Sequence, residues 1–139
     1  MTGFSRDEVE AAWRHRMALQ DNNDWEGFGK TFAPDAVYVE HHYGVFEGRE
    51  KILAWLVPVM EHCKEWTFPV EWVNIDGSRV VHKWLNRLPG RRPDGSYYEF
   101  AGITVMVYAG NGMFSFQEDI YNRHETDKVL QEWNAAHQR

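Results

Sequence analysis

The sequence predicts an α+β domain in which helices cover one face of a curved antiparallel sheet. In the first 60 residues apolar side chains recur at helical spacing, whereas residues 68–121 form long alternating segments separated by glycine-containing turns. The chain has 139 residues, of which 15% are aromatic, and a core with an internal pocket is feasible at this length. We therefore expect residues 1–139 to form a single domain.

The first helix is predicted over residues 5–21. Ser5 and Glu8 have the spacing of a capping box, which satisfies free N–H groups at a helix N-terminus. The apolar positions of this segment are Val9, Ala12, Trp13, Met17 and Leu19. Their spacing gives the helix an aromatic inner face.

Two further helices flank the first predicted strand. Asp24 is expected to cap a short helix that runs through Phe32. Residues 36–41 are β-branched and aromatic, which favours a strand. A third helix follows Gly48, and Pro58 is expected to kink it.

The remaining chain predicts a sheet followed by one helix. Strands are expected over residues 68–75, 79–88, 97–108 and 113–121. The Asp-Gly-Ser segment at 76–78 and the Ala-Gly-Asn-Gly segment at 109–112 indicate hairpin turns. Asn122 and Glu125 form a second capping box, which begins a C-terminal helix.

Alternation along the strands assigns side chains to two faces. His82 and Trp84 are predicted to face inward, because the opposite face of their strand carries Lys83 and Arg87, which are expensive to bury. On the next strand the predicted inner side chains are Tyr98, Phe100, Gly102, Thr104, Met106 and Tyr108. The outer face of that strand is also largely apolar, so we expect a second copy of the chain to cover it in a homodimer.

The last strand places one acidic side chain on the inner face. Gln117, Asp119 and Tyr121 are predicted to face inward, and Phe114, Phe116, Glu118 and Ile120 to face outward. A carboxyl group in an apolar pocket has a raised pKa, which suits a general base. A structural role for Asp119, as a partner of a loop or as a helix cap, is the alternative.

Charge and cysteine content exclude several kinds of partner. The net charge is −6, and an acidic surface repels a phosphate backbone, so no nucleic acid partner is expected. Cys63 is the only cysteine, which rules out an intramolecular disulfide and a thiolate zinc site. No signal peptide or membrane-spanning segment is evident, because the longest apolar stretch, residues 52–60, is too short to span a bilayer. We expect a cytoplasmic protein without a membrane partner.

The histidines do not predict a metal site. His41 and His42 follow Glu40 at the end of the first strand, and adjacent strand residues point to opposite faces. His62 and His82 have no ligand spacing that links them to this pair. No metal is therefore expected.

Several motifs resemble a known family. They are Trp13, Asp24-Trp25-Glu26, Phe32-Ala33-Pro34-Asp35-Ala36, Gly44, Gly48-Arg49, Ile52, Trp55 and Glu118-Asp119-Ile120-Tyr121-Asn122. In this order they resemble the SnoaL-like branch of the nuclear-transport-factor-2-like superfamily. The resemblance implies a cone-shaped curved sheet, an α+β barrel whose N-terminal helices close a deep apolar pocket, with a dimeric assembly and no cofactor. Isomerases, cyclases, dehydratases, epoxide hydrolases and binding proteins share that scaffold.

The resemblance suggests candidate bases one residue at a time. Asp119 matches the aspartate on the closing strand of SnoaL-type polyketide cyclases, which perform an aldol ring closure. Glu40 matches the base of ketosteroid isomerases by its distance from Asp35-Ala36. In that comparison Thr104 falls at the place of a second oxyanion donor, but Arg16 stands where those isomerases have a tyrosine.

Two other activities are matched less completely. Asp21 fits the aspartate that dehydratases of the superfamily carry after the first helix, and His82 would have to supply their histidine. An epoxide hydrolase requires an Asp-Arg-Asp arrangement around a water, which we cannot assemble from the sequence.

The leading hypothesis is a SnoaL-like binding protein or enzyme for a small hydrophobic molecule. If it is an enzyme, we expect general-base proton transfer, cyclase- or isomerase-like, on a polycyclic or aromatic substrate. The candidate catalytic residues are Asp119, Glu40, His82 and Asp21. The candidate substrate-binding residues are Tyr38, Trp84, Tyr98, Phe100, Thr104, Met106, Trp13 and Met17. The alternative is a non-catalytic ligand-binding or dimerisation module.

Overall fold

A computed structural model describes residues 3–137 of the chain as four helices and one six-stranded sheet. The helices are α1 (Arg6–Asp21), α2 (Trp25–Lys30), α3 (Arg49–Glu61) and α4 (Arg123–Ala136). The strands are β1 (Phe32–Glu40), β2 (Gly44–Glu47), β3 (Val70–Asp76), β4 (Arg79–Arg91), β5 (Tyr97–Gly110) and β6 (Met113–Tyr121). The predicted α+β class, with N-terminal helices on a curved sheet, is confirmed.

The predicted helix caps form. Ser5 Oγ accepts a hydrogen bond from the Glu8 N–H at 3.1 Å, and Asn122 Oδ1 accepts one from the Glu125 N–H at 3.1 Å. Asp24 caps α2 in the same way, accepting from the Gly27 N–H at 2.8 Å. Each cap satisfies an N–H group that lacks a partner inside its helix.

The sheet is mixed rather than wholly antiparallel. Its strand order is β2-β1-β6-β5-β4-β3, and β1 pairs in parallel with β6. The four-residue strand β2 was not predicted, because a strand of this length is too short to show alternation. The predicted second helix ran through Phe32, which in fact begins β1. Pro34 lies in β1 where the register with β6 shifts, as expected for a residue that has no N–H to donate.

A β-bulge in β6 changes the face of one aromatic side chain. Val107 pairs with Phe116, but the next residue, Tyr108, pairs with Phe114, so that Ser115 is the extra residue. Phe114 is therefore fully buried on the inner face. The sequence prediction that Phe114 faces outward with Phe116 was wrong, because simple alternation does not anticipate the extra residue.

The helices pack against the inner face of the sheet. Val9 and Trp13 of α1 pack with Val80 and Met106, and α3 packs on β1 through Ile52 and Leu56. The first turns of α4 border the far end of the same face. No helix among residues 3–137 combines the length and apolar composition needed to cross a membrane.

Candidate functional site

A cavity of about 410 Å³ lies between the inner face of the sheet and helices α2, α3 and α4. Its walls are mostly aromatic and aliphatic, and they include the indoles of Trp25, Trp55, Trp66 and Trp84. Its volume falls within the usual range for small-molecule pockets, about 300–1,000 Å³. The cavity can therefore hold a compact apolar ligand.

Four polar side chains form a row across the inner face. His82 on β4 is the register partner of Thr104 on β5, Thr104 is the partner of Asp119 on β6, and Asp119 is the partner of Glu40 on β1. All four border the cavity. Because neighbouring strands lie about 4.8 Å apart, adjacent members of this row are close enough to interact.

Asp119 accepts hydrogen bonds from three neighbours. The Tyr38 hydroxyl donates to Oδ2 at 2.5 Å, while Thr104 Oγ1 and Gln117 Nε2 donate to Oδ1 at 2.8 and 3.1 Å. Burial raises the pKa of the Asp119 carboxyl above its ordinary value, the three hydrogen bonds oppose that rise, and the Glu40 charge adds to it. Burial and Asp119 also raise the pKa of Tyr38, so the phenol keeps its proton.

The Thr104 hydroxyl is oriented by Trp84. The Trp84 indole Nε1–H donates to Thr104 Oγ1 at 2.7 Å, and an indole nitrogen can only donate. Thr104 is therefore free to donate its own proton to Asp119. The indole reaches this position because it lies over Gly102, where a Cβ would come within 2.2 Å of Trp84 Cζ2.

The Gln117 amide is oriented by a buried guanidinium. Arg16 is fully buried, and its Nη1 donates to Gln117 Oε1 at 2.8 Å while its Nε donates to Thr31 Oγ1 at 2.7 Å. Since Arg16 can only donate, the amide NH₂ of Gln117 must face Tyr38 and Asp119. The guanidinium carbon also lies 4.3–4.5 Å from the ring centres of Phe28, Phe32 and Phe114. Desolvation lowers the pKa of Arg16 to about 9.

Glu40 has a separate set of donors. The Tyr121 hydroxyl donates to Oε2 and the His42 backbone N–H to Oε1, both at 2.7 Å. The His42 ring stacks on Tyr121 with centroids 4.4 Å apart. Both side chains border the cavity, so Glu40 forms a second acidic group beside Asp119.

His82 completes the row at its other end. It is buried, and its Nδ1 accepts a hydrogen bond from Trp13 Nε1 at 2.8 Å. Desolvation lowers the pKa of the ring to about 4, and the charge of Arg16 acts in the same direction. The imidazole is therefore neutral at pH 7.

The structure brings eight of the predicted site residues together around the cavity. They are Tyr38, Glu40, His82, Trp84, Phe100, Thr104, Met106 and Asp119. Their roles in binding or catalysis stay predictions.

Four predicted site residues do not border this cavity. Asp21 is exposed at the end of α1, beside a shallow groove that Trp13 and Met17 also line. Trp13 and Met17 pack on the sheet in the core below the cavity. Tyr98 has the predicted inward orientation but is buried beyond the cavity's end, in a cluster with Val129 of α4. Alternation assigns the face of a side chain, but it does not indicate how far along that face a cavity extends.

Several residues of the site were not predicted from the sequence. Gln117 and Tyr121 lie two positions before and after Asp119, and their inward orientation was predicted but their contacts with Tyr38 and Glu40 were not. Trp25 and Trp55 sit on helices, where an indole usually signals core packing. Arg16 had a detectable signal, since a charged residue on the inner face of an amphipathic helix requires polar partners.

Within residues 3–137, the structure contains no cluster of three or more His, Cys, Asp or Glu side chains that could hold a metal ion.

Comparisons with known proteins identify the family and the fold. A family model described as a SnoaL-like domain matches residues 7–115. No curated protein sequence matches the chain.

Solved structures with the same architecture belong to proteins with different activities. An LEH-like epoxide hydrolase from M. tuberculosis is 15% identical, with a TM-score of 0.73 and 94% of each chain covered. A putative SnoaL-like polyketide cyclase from Shewanella putrefaciens CN-32 is 14% identical, with a TM-score of 0.72, and the match covers 89% of this chain and 86% of that one. TerC, co-crystallised with polyporic acid, is 18% identical, with a TM-score of 0.71 and coverage of 89% and 98%. At these identities the likeness establishes the fold alone.

Proposed function

The chain belongs to the SnoaL-like domain family, and from that premise we propose that it is an enzyme in which Asp119 removes a proton from a hydrophobic, polycyclic or aromatic substrate. One observation carries the proposal. Asp119 is a carboxyl group with a raised pKa that borders an aromatic cavity and is held there by three hydrogen bonds. A general base of this kind works best when its pKa is shifted toward the working pH and its position is fixed.

The surrounding side chains fix the position of Asp119 and shape the cavity for the substrate. Thr104 and Gln117 hold Oδ1, and each of them is oriented in turn by an obligate donor, Trp84 or Arg16. The carboxylate therefore stays in one orientation while the substrate enters, which removes part of the entropic cost of proton transfer. Aromatic walls favour a flat apolar substrate, because rings stack on rings.

Glu40 supplies a second acid–base group for the same reaction. It lies next to Asp119 in the parallel pairing of β1 and β6, with its two oxygens held by Tyr121 and the His42 backbone. Ring closure and isomerisation both require a proton to be removed at one atom and delivered at another. Two neighbouring carboxyl groups can divide these tasks.

One observation favours the alternative of a non-catalytic binding protein. Both Asp119 oxygens already accept hydrogen bonds from the protein. Such bonds stabilise the carboxylate and lower its basicity. In a binding protein with the same cavity, Asp119 would only hold the neighbouring polar side chains in place.

Deuterium exchange separates the two possibilities without knowledge of the natural substrate. 2-Tetralone, a bicyclic ketone with acidic C–H bonds beside its carbonyl, is incubated with the protein in D₂O, and NMR follows the exchange of those hydrogens. We expect the wild type to accelerate exchange, and Asp119→Asn to lower the rate by about 10²- to 10⁴-fold, the usual contribution of a general base.

Asp127→Asn is the matched control, because Asp127 borders the same cavity but lies outside the polar row. It should leave exchange close to the wild-type rate. Binding of 2-tetralone is measured separately by quenching of tryptophan fluorescence. Binding without exchange above the buffer rate would contradict the enzyme and support the binding protein.

A further inference from the structure

His82 lies between an obligate donor and the cavity. The Trp13 indole N–H points at His82 Nδ1 across 2.8 Å, and the two rings meet at 67° in an edge-on contact. An indole nitrogen has a proton and no available lone pair. The imidazole nitrogen that faces it must therefore present a lone pair.

This contact determines where the His82 proton is. A neutral imidazole has one N–H and one lone pair. With the lone pair at Nδ1 engaged by Trp13, the proton resides on Nε2. Burial and the Arg16 charge keep the ring neutral at pH 7, because they lower its pKa to about 4. His82 then has no free lone pair with which to accept a proton, so this tautomer does not fit the predicted role of His82 as a base.

Nε2 has no protein acceptor among residues 3–137, and His82 borders the cavity. We propose that His82 donates a hydrogen bond from Nε2 to an oxygen atom of the ligand, and that Trp13 is the positioning residue that holds the ring in this tautomer. The ligand class that fits is an uncharged polycyclic or aromatic compound with a carbonyl oxygen. This inference rests on the proposed function, because it places the carbonyl beside the C–H bond that Asp119 attacks.

The positions of His82 and Asp119 in the row allow one ligand to contact both residues. His82 and Asp119 are both register partners of Thr104, on the strands at either side of it. Their backbones are therefore roughly 10 Å apart, two strand spacings, and both side chains extend into the cavity. A ring system placed over Thr104 can direct its oxygen to one and its acidic carbon to the other. A neutral imidazole donor stabilises the negative charge that develops on that oxygen when the proton leaves.

The tautomer is tested directly by ¹H–¹⁵N spectra of the histidine rings in the full-length protein at pH 7. The expected wild-type signature for His82 is an unprotonated Nδ1 and a protonated Nε2. In Trp13→Phe, which keeps an aromatic ring but has no N–H to donate, we expect the two tautomers to mix. A wild-type ring protonated at Nδ1, or an unchanged spectrum in Trp13→Phe, would overturn the assignment.

The ligand class is tested with a ketone and its parent hydrocarbon. 2-Tetralone and tetralin share a ring skeleton and differ in the carbonyl oxygen, and their dissociation constants are measured by tryptophan fluorescence. We expect His82→Phe to weaken 2-tetralone binding about 3- to 10-fold, as for the loss of one neutral hydrogen bond, and to leave tetralin binding unchanged. An equal change for both compounds, or no change for the ketone, would overturn the proposal.

A second variant keeps this test valid if His82→Phe is unstable. His82→Phe leaves the buried Trp13 N–H without an acceptor, which is costly. The double variant Trp13→Phe/His82→Phe removes both partners and should recover stability while still lacking the donor. It is expected to bind the two compounds as His82→Phe does. A wild type that binds 2-tetralone more tightly than tetralin and yet fails to accelerate deuterium exchange would contradict the proposed catalysis by Asp119 but not the donor role of His82.

Discussion

His82 and Asp119 are buried beside the same cavity, and burial shifts their titrations in opposite directions. The pKa of His82 falls from 6.5 to about 4, so the folded protein keeps the ring neutral where the unfolded chain protonates it. The pKa of Asp119 is raised, so the folded protein binds its proton more readily than the unfolded chain does. The two residues therefore affect stability with opposite signs: a rise in pH from 4 to 6.5 restores stability at His82, whereas a rise in pH above the ordinary pKa of an aspartate removes stability at Asp119.

The contribution of His82 predicts a loss of stability in mild acid. Between pH 6.5 and about 4 the unfolded chain binds one more proton at this residue than the folded protein does. The free energy of unfolding should fall across that window by about 3 kcal/mol from this residue alone, and the full contribution is present above pH 6.5. Urea unfolding at pH 7 and pH 4 measures the change.

The control for this prediction is the double variant Trp13→Phe/His82→Phe, which has no titrating group at the position. It retains Asp119 and every other carboxyl group, so the difference between its pH dependence and that of the wild type isolates His82. Parallel curves for the two proteins would show that His82 does not titrate as the structure indicates.

Among the strands, the packing of β4 against β5 depends on one glycine. Gly102 faces Trp84 across the ladder, and the indole lies directly over it to reach Thr104. A methyl group at this position would lie 2.2 Å from Trp84 Cζ2. The ring could then not keep its place without displacing the strand, because protein interiors are close-packed.

Gly102→Ala should therefore destabilise the protein by about 1–3 kcal/mol, the usual cost of overpacking, and should break the Trp84–Thr104 hydrogen bond. Urea unfolding measures the first effect and the indole N–H resonance of Trp84 the second. In a Trp84→Ala background the same substitution should cost much less, since the ring is gone. An equal loss of stability in both backgrounds would show that the strain does not come from contact with Trp84.

The same strands indicate what a sequence can predict. Alternation assigned His82, Thr104 and Asp119 to one face correctly, because each lies in a long strand with a regular ladder. The parallel pairing of β1 with β6 and the bulge at Ser115 were not predictable, since both depend on contacts between distant parts of the chain. The orientation of Gln117 could not be predicted for the same reason: it is set by Arg16, 101 positions away.

Across the whole molecule, the outer face of the sheet carries exposed apolar side chains. Core packing by the helices lies on the inner face, whereas Trp72 and Ile120 on the outer face are 40% and 47% exposed. A row of outward side chains, Trp72, Lys83, Ile103 and Ile120, crosses β3 to β6. The Lys83 ammonium pairs with Glu71 at 3.4 Å, so this charge is compensated within the face. A largely apolar face of this extent favours association.

We propose that a second copy of the chain covers this face, as predicted from the sequence. A stable interface buries about 800 Å² per partner, which a six-stranded sheet can provide. Light scattering should therefore give a molar mass twice the 16.4 kDa of one chain.

Ile120→Asp adds a charge to each copy at the contact and should shift the protein to the monomer. The folding of the single chain should change little, because Ile120 is already half exposed. Gln131→Asp makes the same charge change on the exposed side of α4 and should leave the dimer intact. A monomeric wild type, or a dimer that survives Ile120→Asp, would contradict this assembly.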